Sequence, residues 1–123
     1  MMVLDKNDVL DRTNGGLSVF EHFIKGFPGP NKAFLNPLYD DHNPSVYVFR
    51  DPSQFAYRFI DFGNDSFYGD CFTYVGLVFG KVAQDKDDFI WILKTINHEL
   101  SLGLEGKATP NSSKNIPVLK KKK

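Results

Sequence analysis

Ser45-Val46-Tyr47-Val48-Phe49-Arg50, then Asp51-Pro52-Ser53-Gln54, then Phe55-Ala56-Tyr57-Arg58-Phe59-Ile60-Asp61-Phe62: two β-rich runs flank a tetrad of turn-forming residues. β-Branched and aromatic side chains suit a pleated, half-buried surface, and Asp-Pro-Ser interrupts it, so this stretch predicts a β-hairpin. Upstream, Asn36-Pro37-Leu38-Tyr39-Asp40-Asp41-His42-Asn43-Pro44 holds two prolines and four Asx residues, which forbid regular structure through it. Downstream, Gly63-Asn64-Asp65-Ser66 reads as a second turn.

Helices are expected on both sides of the hairpin. Asp70 is placed to cap an apolar helix from Cys71 to Phe79 that stops at Gly80. Phe89, Ile92, Leu93, Ile96 and Leu100 form the stripe of an amphipathic helix over 88–102, with Trp91 at its edge and Asp85, Asp87 and Asp88 at its positive end. Towards the N-terminus, Asp5 to Arg12 predicts a short helix capped by Asn7 or Asp8, stopped by Thr13-Asn14-Gly15-Gly16. Ser18 and Glu21 fit a capping box, so a further helix is expected over 18–25, followed by a loop at Phe27-Pro28-Gly29-Pro30-Asn31. The fold class is therefore α+β: a small antiparallel sheet flanked by helices near 18–25, 70–79 and 88–102.

With 123 residues, 41% of them hydrophobic and 15% aromatic, the chain can fill one core. Residues 1–103 carry nine Lys/Arg and fourteen Asp/Glu, a balance of −5, whereas 104–123 carry six Lys and only Glu105, a balance of +5. Residues 5–103 are thus expected to be the domain and 104–123 a flexible basic linker or tail. No apolar window reaches a membrane span and no basic-then-apolar leader opens the chain, so a cytoplasmic protein with no membrane partner is expected. One cysteine, Cys71, excludes an internal disulfide, and His22, His42 and His98 cannot alone supply a four-ligand zinc site.

Constellations of catalytic residues are absent. Cys71 falls where a buried helix begins, Asp40, Asp41 and His42 are adjacent in a turn, and no P-loop lysine follows the glycines. The aromatic run Tyr47, Phe49, Phe55, Tyr57, Phe59 and Phe62 could be a base-stacking platform or the core of a small sheet. Arg50 and Arg58 are the hairpin's cations, and whether they share a face depends on strand register.

Turn and hairpin together resemble the N-terminal zinc-ribbon domain of DnaG-type bacterial DNA primases. That family runs Cys-Pro-x-His, a polar stretch, Pro-Ser-aromatic, a hairpin, and Cys-x-Gly-Cys before a Gly-Gly-Asp-like step into an apolar helix. Here stand Asn36-Pro37-Leu38-Tyr39, Asn43-Pro44-Ser45-Val46, the hairpin, Asp61-Phe62-Gly63-Asn64 and Tyr68-Gly69-Asp70-Cys71. Val9 to Phe20, through Thr13-Asn14-Gly15-Gly16-Leu17, also looks like the opening of primase-related proteins of phages and mobile elements. The resemblance spans roughly residues 5–102 and departs from the family at the four ligand positions. Asn36, Tyr39, Asp61 and Asn64 offer neither thiolate nor imidazole, so a zinc-free ribbon with no cofactor is expected, cross-braced by hydrogen bonds and aromatic packing.

What the resemblance implies is a DNA-replication role. In the family the ribbon binds single-stranded template and passes it to a Toprim catalytic domain. The expectation is single-stranded DNA binding by this chain, which is not itself catalytic and is either the N-terminal part of a primase or a stand-alone derivative, with a Toprim domain or replicative helicase as protein partner. The residues expected to carry it are Lys32, Tyr47, Arg50, Tyr57 and Arg58, with the lysines 120–123 as further phosphate contacts. A protein-interaction or scaffold module that has lost DNA binding is the alternative, favoured by the acidic domain.

Overall fold

A computed structural model describes residues 4–40, 42–53, 56–64 and 66–104. Its order is α1 (Lys6–Arg12), α2 (Leu17–Phe23), β1 (Val46–Asp51), β2 (Ala56–Asp61), β3 (Tyr68–Asp70), α3 (Cys71–Phe79) and α4 (Lys86–Glu99). The strands form one antiparallel sheet in the order β1-β2-β3, giving a small α+β fold. Gln54, Phe55, Asp65 and the tail from 105 onward lie outside the described residues.

Hairpin and helices stand where the sequence puts them, while two caps and one strand differ. α1 is capped by Asp5, whose side chain accepts from the Asn7 N–H at 2.9 Å, and not by Asn7 or Asp8. α2 begins at Leu17 after Gly16 in the left-handed region (φ 94°), so the Ser18–Glu21 capping box is not used. The positive φ decides this. A Cβ on Gly16 would lie 3.0 Å from the Cys71 sulfur, so glycine alone permits the turn and its close approach to α3. Buried Thr13 holds the turn, donating to the Val9 carbonyl at 2.7 Å and accepting from the Gly16 N–H at 3.1 Å.

Asp70 caps α3 through the Thr73 N–H at 2.9 Å, as expected. α4 starts at Lys86 under an Asp85 cap, two residues before the predicted 88. β3 has no counterpart in the sequence reading. Its three residues pair Arg58 with Asp70, Phe59 with Gly69 and Ile60 with Tyr68. An isolated bridge between Phe34 and Val46 adds a short contact on the other edge.

The core sits between the sheet's inner face and the helices. Val46, Val48 and Phe59 point inward, and Phe59, Phe20 and Tyr74 form a triangle with ring centroids 5.4–6.1 Å apart. Such tilted and edge-on contacts let the positive ring edge meet the negative ring face. α4 closes the far side through Ile92, Leu93 and Ile96, and Leu104 is buried beside it, one residue beyond the expected domain end. Burial pushes the Tyr74 phenol up to about 12. Among the described residues no helix is long and apolar enough to cross a membrane.

α3 and α4 meet at Gly76, where a Cβ would lie 2.5 Å from the Lys81 carbonyl oxygen. That contact is with backbone and cannot swing away, so it outweighs the helix propensity that alanine brings. Gly76→Ala is expected to lower stability by about 2 kcal/mol and the melting temperature by roughly 10 °C, read by thermal denaturation. A melting temperature unchanged or raised would show that the loop after α3 yields freely.

Candidate nucleic-acid interface

Asp61 ends β2 fully buried, and its carboxylate gathers two turns. One oxygen accepts from Ser45 Oγ at 2.6 Å and the Gly63 N–H at 2.8 Å. The other accepts from Asn36 Nδ2 at 3.0 Å and Tyr39 Oη at 2.5 Å. All four partners are donors, so the buried charge is fully solvated by protein. Asn36 in turn accepts from the Leu38 N–H at 2.8 Å, and the Tyr39 ring packs against Phe67 with centroids 5.3 Å apart.

Three of the four ligand-like positions, Asn36, Tyr39 and Asp61, therefore meet at one point. Asn64 joins only through its backbone, donating its N–H to the Asp61 carbonyl at 3.1 Å, while its side chain accepts from Ser66. This donor set does not fit zinc: one carboxylate is already saturated by N–H and O–H groups, and Asn36, Tyr39 and Asn64 carry neither thiolate nor imidazole. Among the described residues no three His, Cys, Asp or Glu side chains are grouped so as to hold a metal ion.

Burial by itself raises the Asp61 pKa, but the hydrogen bonds from Ser45, Tyr39, Asn36 and the Gly63 N–H outweigh it and lower the value from 3.8 to about 2.

Strand register decides the surface. Antiparallel partners share a face, so Tyr47 with Ile60 and Phe49 with Arg58 point outward, while Arg50 with Tyr57 lies on the inner side. Arg50 and Arg58 are thus on opposite faces, as are Tyr47 and Tyr57. Of the five residues expected to bind nucleic acid, Tyr47 and Arg58 share the outer face, and exposed Lys32 follows Asn31, which lines the bay there. Tyr57 packs against the core cluster, and Arg50 is exposed at the hairpin end.

The outer face bears two adjoining depressions. Tyr47, Phe49, Ile60, Phe62 and Asn31 line an apolar bay of about 310 Å³. Tyr47 and Phe62 meet there edge-on at 5.7 Å, and Phe62 remains 71% exposed. Beside it, Arg58, Ser66, Tyr68, Asp70, Thr73 and Gln84 line a polar groove of about 370 Å³, with Tyr68 59% exposed. Arg58 lies 3.8 Å from Asp51 and opposite Asp70 across the strands, so its charge is partly offset.

Sequence reasoning missed Tyr68 because β3 was not foreseen, and left Phe62 open between stacking platform and core. The alternation that puts Tyr47 outward would have found both, given the register.

Cys71 is fully buried, and burial together with the neighbouring Asp70 charge raises its thiol pKa, the reverse of an activated nucleophile. His22 pairs with Glu99 at 3.1 Å between α2 and α4, and His42 lies 3.5 Å from Asp40 on an exposed turn. No family model, curated protein or solved structure matches the chain.

Because the folded pKa of Asp61 lies below its unfolded value, its ionised form stabilises the fold above about pH 4, and that contribution disappears as the pH falls towards 2. The difference corresponds to about 2 kcal/mol. Asp61→Asn is expected to cost about 2–4 kcal/mol at neutral pH and to flatten the loss of stability between about pH 5 and pH 2, followed by urea denaturation across that range. Equal acid slopes in the two proteins would contradict the carboxylate brace.

Proposed function

We propose that this chain is a DNA-replication accessory module: a zinc-free domain similar to the primase zinc ribbon, which binds single-stranded template DNA on its outer sheet face and makes no phosphodiester bond itself. It works in the cytoplasm for a phage or mobile-element primase-like protein, beside a Toprim catalytic domain or a replicative helicase. The observation that carries this reading is the meeting of Asn36, Tyr39 and Asp61 from two separate turns at one point. In a ribbon those positions hold the metal, and here hydrogen bonds take over the same mechanical task.

Binding would use stacking. Every base has a π-face, so the rings of Tyr47, Phe49, Phe62 and Tyr68 can take bases without selecting sequence, at about 1–3 kcal/mol each. Arg58 and Lys32 would meet the phosphates, which fix register and orientation. Arg50 and Tyr57 lie on the other face and drop out of the proposed site. Protein contact is the second reading, favoured by the apolar walls of the bay and by the offsetting of Arg58 by Asp51 and Asp70.

Fluorescence anisotropy of labelled oligothymidylate tests this with the full chain and with a variant carrying alanine at 120–123. The expected result is salt-sensitive binding that survives loss of the four lysines, weakens about 10-fold in Tyr47→Ala and in Phe62→Ala, and is unmoved in Arg50→Ala. Binding that vanishes with the lysines, or no binding at all, would leave the sheet face to a protein partner.

A further inference from the structure

The α3–α4 hairpin leaves large apolar side chains in solvent. Phe79 ends α3, Val82 lies in the connection, and Ile90 and Trp91 stand on the side of α4 away from the core stripe. Two of them join: the Phe79 ring is 5.3 Å from Trp91 and 5.9 Å from Phe23, and the Lys81 ammonium sits 4.9 Å over the Trp91 ring. Val82 is 56% and Trp91 38% exposed. Single exposed apolar residues are ordinary, but four on one helical hairpin, two of them in ring contact, point to an occupant.

The chain's own continuation fits it. After α4 the backbone reverses: the Leu102 N–H donates to the Asn97 carbonyl at 3.0 Å and the Leu104 N–H to Asn97 Oδ1 at 2.9 Å. Leu104 therefore lies level with Asn97, already turned back along α4. Trp91 is six residues earlier on that helix, about 9 Å along its axis. Residues 105–115 can span up to ~36 Å, and closing such a loop costs little more than closing a shorter one. Beyond them comes Ile116-Pro117-Val118-Leu119, the only apolar run in the segment, followed directly by Lys120 to Lys123.

Charge agrees with this placement. Asp85, Asp87 and Asp88 stand together at the start of α4, one turn from Ile90 and Trp91, with Lys81, Lys86 and Lys94 as the cations nearby. The domain as a whole is at −5 and the segment at +5. We infer that Ile116-Pro117-Val118-Leu119 docks on the Phe79, Val82, Ile90 and Trp91 surface in the same molecule, with Lys120 to Lys123 drawn to the acidic start of α4.

Trp91 is the sole tryptophan, so its emission reports the surface directly. The experiment compares the full chain with a full-length Ile116→Asp, Leu119→Asp variant, whose changes lie outside the core and whose fold is verified by far-ultraviolet circular dichroism. The expected result is red-shifted emission and greater acrylamide quenching in the variant, with the difference independent of protein concentration. Identical emission and quenching in the two proteins would overturn the inference. So would a difference that disappears on dilution, which would make a second copy the occupant.

Discussion

The buried carboxylate of Asp61 is the constraint on which the rest of the architecture depends. It closes β2, receives Ser45 from the entry to β1, and holds Asn36 and Tyr39 from the turn before it. An ionised carboxylate in this position is tolerable only because all its acceptor capacity is used, and removing one donor would leave a charge partly unsolvated. Hydrogen bonds are directional, so saturation fixes geometry as well as energy. A metal would hold the same two turns with fewer groups and less dependence on their orientation. Here side-chain dipoles, the Gly63 N–H and the Tyr39–Phe67 ring contact share the task.

Fixing the open end of the hairpin fixes its register, and register fixes what faces water. With Val46 opposite Asp61, every second residue falls inward, which gives Val48 and Phe59 to the core and Tyr47, Phe49, Arg58 and Ile60 to the surface. A slip of one residue would exchange these sets, burying Arg58 and exposing Phe59. The brace and the proposed binding face are therefore one structural problem. The face itself is mostly apolar, with one arginine between two acids, so the proposed binding would draw chiefly on stacking, with Arg58 and Lys32 supplying a smaller, salt-sensitive share.

Much of this was legible in the residues, and the exceptions have physical causes. The hairpin, the cap of Asp70 and the inward stripe of α4 follow from local chemistry that no tertiary contact overrides. The aromatic run was ambiguous between core and platform because it divides between two faces: alternation sends Phe59 inward and Tyr47 and Phe62 outward, and only pairing says which parity applies. β3 was invisible because Tyr68-Gly69-Asp70 is too short for a periodic pattern, and Gly69, at φ 145°, has no strand propensity of its own. Ser18 lost its capping role because Gly16 alone accepts the left-handed turn that brings α1 and α2 against Cys71. For the brace, sequence named the positions that meet, but not that Asn64 would turn its side chain to Ser66.

The most direct test of the central claim, that the braced sheet presents its outer aromatic face to single-stranded DNA, is nuclear magnetic resonance mapping of the full chain titrated with oligothymidylate. The account predicts that aromatic and amide signals of Tyr47, Phe49, Ile60, Phe62 and Tyr68 shift together, while those of Arg50 and Tyr57 stay in place. Shifts confined to the lysines at 120–123, or centred on the inner side at Arg50, would contradict it.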